Sequence, residues 1–248
     1  MRAHMELGRT QITAVIKEYM RVAEDDQLRQ RIPVLLAAHD ETRLSGLFSE
    51  LFIAHPTIKE ITVLDPEGMV IESTVDGLQY QFISGDALWE KAKAGQGVVF
   101  DVRGPMEGSY AHMFVPLLSA ESVVAYGHII LDSAPLSSIL QPHDTLGSTG
   151  ETVVVKRDED GTFIPLTALK FPAHDGAGTG LFFAEPARLA LTNVSREHPL
   201  AYQTAVDYRG EKVMAVSGFV DETNWQLWLK ADADEVLRPV QKLKILFV

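Results

Sequence analysis

Five side chains in the first half of this chain have the chemistry to hold a small polar molecule. Arg103 closes one apolar strand-like run, Tyr110 and His112 alternate with period two on the next and so share a face, and Asp132 closes a third. Trp89 lies just upstream on a short helical segment. An arginine can clamp a carboxylate through two parallel hydrogen bonds, an aspartate can accept from an ammonium or a hydroxyl, and aromatic faces can stack on a ligand. The set suits a small polar or zwitterionic ligand. Each member also has a structural role open to it: Trp89 as a core anchor, Arg103 as a solvated turn residue beside Gly104-Pro105, Tyr110 and His112 facing away together, and Asp132 as the cap of a following helix.

Other chemistries find less support. The chain has no cysteine, which excludes disulfides, thiol catalysis, Cys-ligated zinc and iron–sulfur clusters. His39-Asp40, His143-Asp144 and His174-Asp175 invite a metal, but adjacent residues on loops and helix starts do not converge on an ion without a third partner. The Gly-rich stretch 176–180 lacks the strand-then-helix setting and the Lys-Ser/Thr of a phosphate loop. Nucleophile-elbow and zinc-protease helix motifs are absent, and no carboxylate pair is spaced across a cleft. No cofactor, metal or catalytic residue is expected.

Composition sets the frame around the candidate site. The 248 residues, 46% of them hydrophobic, suffice for one large core or two ordinary ones. A net charge of -12 without a basic cluster argues against nucleic acid as a partner. No run of about 18 apolar residues spans a bilayer, although the closing "VQKLKILFV" reads either as the end of an amphipathic helix or as the start of a membrane span. The opening "MRAHM" reads in part as an expression remnant and is set aside.

The elements that must position the five residues follow from periodicity. Ile12, Val15, Ile16, Tyr19 and Val22 or Ala23 form one helical stripe, which Pro33 should interrupt. A second helix is expected from its N-cap Asp40, with Leu44, Leu47, Phe48, Leu51 and Phe52 on one face, ending at His55-Pro56. The period then changes to two: "IKEITVLDPEGMVIES" predicts a hairpin turning at Asp65-Pro66-Glu67-Gly68. A short helix over 88–94 and strands near 98–103, 109–118 and 123–131 complete a five-stranded antiparallel unit. The pattern then starts again with a strand, a turn at Asp160-Gly161 and a strand. After a loose stretch come three more strands, with turns at Arg209-Gly210 and near 222–224. "GHIILD" and "WQLWLKAD" each end an apolar run in aspartate, at Asp132 and Asp232, a hundred positions apart. Two copies of one fold are implied.

Element order, the "DPEG" hairpin, the "GSTGETVVV" entry to the second sheet and the "YRGEKVMAVSGFVDETNWQLWLKADADEVLRP" exit together resemble double Cache sensor domains, the extracytoplasmic parts of bacterial histidine kinases, chemoreceptors and diguanylate cyclases. The resemblance covers residues 10–240. It implies an α+β fold with a long N-terminal helix and two tandem PAS-like subdomains, each with a five-stranded antiparallel sheet. Residues 1–54 would form the helical spine, 55–141 the membrane-distal ligand-binding subdomain, 142–235 the membrane-proximal subdomain and 236–248 an exit helix toward a second membrane span. It further implies a periplasmic location on an inner-membrane protein, a homodimer through the first helix, and a ligand site at Trp89, Arg103, Tyr110, His112 and Asp132. Members that recognise amino acids carry Tyr-x-Arg-x-Trp into the lid helix; Gly85 and Ala87 stand here in place of the Tyr and Arg, and only Trp89 is kept. An organic acid, amine or polyol is then at least as good a ligand as an α-amino acid. The alternative functions are a module that docks a periplasmic protein, which Trp89 packed on Tyr110 would favour, and a soluble enzyme on the same scaffold.

Overall fold

The computed structural model describes residues 1–83, 86–95, 97–103, 110–139, 146–157, 163–166, 169–171, 200–221 and 223–246, with the side chains of 103, 137 and 240–246 excepted. The Asp160-Gly161 turn, the 176–180 stretch, Gly85, Glu222, His143-Asp144 and His174-Asp175 lie outside the described residues. Two compact units are present. One comprises the described residues from Ile16 to Ser133; the other comprises Met1–Val15 and the described residues from Ala134 onward.

In the first unit the predicted helical stripe is real. Helix α1 (Arg2–Glu24) ends within this unit, where Ile16, Tyr19, Val22 and Ala23 are buried. It does not run on to Pro33. Asp25 stops it, because its carboxylate accepts from the backbone N–H of Gln27 at 2.7 Å and contacts His55 Nε2 at 2.8 Å. Burial alone would raise the Asp25 pKa, but the His55 contact and the backbone donors hold it below the usual range. A π-helical stretch, Gln27–Arg31, leads into α2 (Ile32–Ala37), where Pro33 sits in the first turn, which needs no N–H from it. Pro33 therefore starts a helix instead of breaking one. Asp40 caps α3 (Glu41–Ala54) by accepting from Arg43 N at 3.1 Å, and Leu44, Leu47, Phe48 and Leu51 face inward.

Next come β1 (Ile58–Leu64), β2 (Val70–Ser73), α4 (Ala87–Lys93), β3 (Val99–Arg103), β4 (Tyr110–Ser119) and β5 (Ser122–Asp132), arranged as an antiparallel sheet in the order β2-β1-β5-β4-β3. Odd-numbered positions of β1, β4 and β5 (Ile61, Val63, Met113, Val115, Ile129, Leu131) are fully buried. Helices cover this face: Tyr19 meets Phe100 at 5.8 Å between ring centroids, and its hydroxyl donates to the Asp132 carbonyl at 2.5 Å. The opposite face carries α4. Its Asp86 N-cap accepts from Leu88 N, and Leu88, Trp89 and Ala92 pack on Leu64, Val70, Phe114 and Tyr126. Gly68, at φ 97°, closes the β1–β2 turn under the Trp89 ring, which an added Cβ would approach to 3.0 Å.

After α5 (Ala134–Ile139), the second unit repeats the plan with β6 (Glu151–Arg157), β7 (Phe163–Pro165), β8 (Leu200–Val206), β9 (Lys212–Phe219) and β10 (Trp225–Asp232). They form an antiparallel sheet in the order β7-β6-β10-β9-β8, each strand replacing the one five places earlier. Helix α6 (Ala233–Leu246) follows at once. Met5 and Ile12, near the start of α1, are fully buried in this unit, and the Arg9 guanidinium donates to the Phe219 carbonyl. The opening residues set aside as a remnant are therefore helical from Arg2, and Met5 belongs to the core. Among the described residues no helix is long and apolar enough to cross a membrane.

The start of α6 is fastened to the turn that enters β6. The Glu235 carboxylate accepts from Ser148 N and Oγ, each at 2.8 Å, and from Thr149 N, also at 2.8 Å, and Oγ1. Gly147 makes room, since at φ 88° its added Cβ would lie 2.8 Å from Glu235 Oε1. The Thr149 bonds first, then those from Ser148, hold the Glu235 carboxyl down to about 2 from the usual 4.5. A depressed folded pKa gives stability that is present above the unfolded value and lost as pH falls through the folded one. Glu235→Gln should lower the melting midpoint by a few degrees at neutral pH, and the gap to wild type should close as pH falls from 4.5 toward 2. Thermal unfolding followed by circular dichroism across that window checks it.

Candidate functional site

Antiparallel register arranges the α4 face of the first sheet in rows. Arg103, Tyr110 and Asp132 are paired side by side across β3, β4 and β5. The next row holds Asp101, His112, Ile130 and Glu60, and the one after it Val99, Phe114, His128, Thr62 and Ser73. The last holds Pro116, Tyr126, Leu64 and Val70. All four sheet-borne candidates therefore occupy one face, in two adjoining rows. This follows from period two and from β3–β4–β5 being consecutive neighbours.

Polarity falls along the face. Tyr110 is 47% exposed, and the Asp132 carboxylate, itself partly exposed, pairs with Lys59 Nζ at 2.9 Å. That hydrogen bond, then the charge beside it, raises the Lys59 pKa. His112 Nδ1 lies 3.2 Å from His128 Nε2, so one ring donates and the other accepts; His128 in turn stacks on Phe114 at 4.3 Å. Thr62 and Ser73 join their hydroxyls at 2.8 Å. At the far end Trp89 is 1% exposed, 4.9 Å edge-on from Tyr126 and 5.8 Å from Phe114, with Lys93 Nζ 5.6 Å from its ring. Donors, acceptors and a cation–anion pair thus lie beside an aromatic cluster buried under α4. The arrangement can orient a polar molecule by several hydrogen bonds at once.

Arg103 is placed by its backbone at the end of β3; its side chain lies outside the described atoms. Trp89 belongs to the aromatic core under α4, two rows from Tyr110 and Asp132. Asp101, His128, Thr62 and Ser73 share the face and were not singled out from the sequence. The signal for His128 was available: it has the parity of Asp132 on β5, inside a run read simply as apolar. Ala87 opens α4 where the amino-acid motif would place its arginine. Among the described residues no group of three or more His, Asp or Glu is arranged to hold a metal.

The same face of the second sheet carries a hydrophobic cluster that includes Val153, Val155 and Trp228, and beside it a buried group of charges. Lys230 Nζ, fully buried, lies 2.6 Å from both Glu151 Oε2 and Asp207 Oδ2. The Tyr208 hydroxyl donates to Glu151 at 2.8 Å, and Arg209 bridges Asp207 at 2.8 Å and Asp232. Burial alone would raise the Asp207 pKa, but the Lys230 bond and charge hold it below the usual range. Burial, then the Glu151 charge, pushes the Tyr208 hydroxyl up. Asp132 and Asp232 are thus both paired with cations at matching strand ends.

No protein-family model and no curated protein matches this sequence. Solved structures do. An extracellular ligand-binding receptor from Desulfohalobium retbaense aligns at 16% identity over 92% of this chain with a TM-score of 0.60, and the chain spans 39% of that receptor's length. The ligand-binding domain of the Pseudomonas aeruginosa amino acid chemoreceptor PctB, in complex with L-Gln, aligns at 13% identity over 100% of this chain and 98% of that one, TM-score 0.64. The V. cholerae histidine kinase DctB sensor domain aligns at 11% over 93% and 95%, TM-score 0.57. The chain has the two-sheet α+β fold of these extracellular sensor domains.

Proposed function

We propose that this chain is the extracytoplasmic sensor region of a bacterial transmembrane signalling receptor and binds a small polar ligand on the α4 face of its first sheet. The supporting observation is the row Arg103–Tyr110–Asp132, with His112 adjoining, on one face of that sheet. Asp132 takes the ligand's donor, His112 and Tyr110 supply further hydrogen bonds, Arg103 meets an acidic group, and Trp89 walls the site and holds the lid helix down. The region itself catalyses nothing; binding biases the helical elements between two packings, which differential affinity alone can do. A homodimer through α1 and a membrane-anchored full-length protein belong to the same proposal. Docking of a periplasmic protein on a self-filled pocket is less well supported, because Trp89 packs on Phe114 and Tyr126 while Tyr110 is 47% exposed. Amino acids, bound by PctB, join organic acids, amines and polyols as candidates.

A thermal-shift panel of those four classes tests this. One class should raise the melting midpoint in proportion to the logarithm of concentration above its dissociation constant. Asp132→Ala should remove the shift yet leave the ligand-free midpoint within a few degrees, since an exposed ion pair contributes about 0–1 kcal/mol. A flat response in every class overturns the proposal.

A further inference from the structure

We propose that the second sheet carries an ammonium-binding cage and that its occupant is the protein's own Lys230. The lysine is fully buried, as is Asp207, and Glu151 is 3% exposed. Its three N–H donors meet two carboxylates at 2.6 Å, and the Tyr208 ring lies 4.4 Å from the nitrogen, with Phe171 at 6.0 Å. Carboxylates on one side and an aromatic face on another are what a protein offers an amine ligand.

Register ties the cage to the face on which the first sheet places its candidate site. Lys230 stands opposite Glu151 between β10 and β6, as Ile130 stands opposite Glu60 between β5 and β1. Asp232 and Asp132 end the two corresponding strands. The second copy has an ammonium where the first has an isoleucine. Buried ions are tolerated only when their remaining valences are met. Here they are: Tyr208 Oη and Lys170 N donate to Glu151, and Arg209 Nε donates to Asp207. The tethered amine keeps this copy permanently liganded, so it does not respond to solutes.

Lys230→Ala deletes the atoms of propylamine, which makes propylamine the probe. At neutral pH the variant should melt lower than wild type. Propylamine at ten times its dissociation constant should raise the variant's midpoint by about 4 °C. Wild type should not move, and neither should Lys230→Ala combined with Glu151→Gln and Asp207→Asn; 1-propanol should shift none of them. A flat response of the single variant, or an equal one in wild type, overturns the cage. Should Lys230→Ala not fold, wild-type nuclear magnetic resonance decides. One lysine ammonium must show slowly exchanging protons that disappear in Lys230→Met or Lys230→Arg, and their absence from wild type refutes the cage. Because amines are also candidate ligands of the first sheet, every propylamine comparison is made with Asp132→Ala present in all the proteins, so that its outcome stands or falls apart from any ligand there.

Discussion

Replacing Trp89 by alanine should cost about 3–5 kcal/mol, the range for deleting a large buried aromatic side chain. The indole is 1% exposed, rests edge-on against Tyr126 and tilted against Phe114, and lies over Gly68. Helix α4 has seven residues, too few to persist without its packing, and its other buried anchors are Leu88 and the small Ala92. Loss of Trp89 therefore releases the helix as well as leaving a cavity. Urea unfolding should show the lower stability. Native-state hydrogen exchange should speed up over 86–95 before it does over β4 and β5, and Trp89→Phe should recover much of the loss. Stability within 1 kcal/mol of wild type would mean that the indole is not the anchor described.

Asp207→Ala should be as damaging, about 3–5 kcal/mol, because it leaves Lys230 buried with one of its two carboxylates missing. It also removes the acceptor that orders the Tyr208–Gly210 turn, where Asp207 Oδ1 receives Arg209 N at 2.9 Å and Glu211 N at 3.2 Å. The pH dependence has a definite sign. The folded Asp207 carboxyl titrates below its ordinary 3.8, so its contribution is complete above that value and is lost as pH falls below it. Wild type and variant should therefore converge in acid below about 4. Denaturant midpoints measured from neutral pH downward provide the check. A gap that stays constant into acid would assign the loss to the turn instead of the ion pair.

Much of this was legible in the sequence because the signals were local. Asp40 three residues before Arg43, the Asp65–Gly68 turn, and Tyr110 and His112 two apart each dictate geometry with their immediate neighbours. The repeated succession of strands along the chain followed from the same cues applied twice, whereas their order within each sheet was not read from it. Pro33 misled, since a proline reads equally as the end of one helix or the first turn of the next; the distinction lay with Asp25 and its contact to His55, the residue that closes α3. Trp89 could be placed on α4 from its spacing, but its partners on β4 and β5 come from strands beyond the reach of any local pattern. Lys230 was hardest to read. At an alternating position in "WQLWLKAD" it looks like the solvent side of a strand, and only Glu151, Asp207 and Tyr208, drawn from distant segments, make it an interior residue.

The bond set between Glu235 and the Ser148–Thr149 backbone has a mechanical meaning. The segment by which the chain arrives at its second sheet and the helix by which it departs are riveted at one point, and Asp232 N adds a bond to Thr149 Oγ1 there. Because α6 begins directly after β10, a displacement of Ser148 and Thr149 would reach its first turn through this one carboxylate. The sheet serves as the anvil and the carboxylate as the pin.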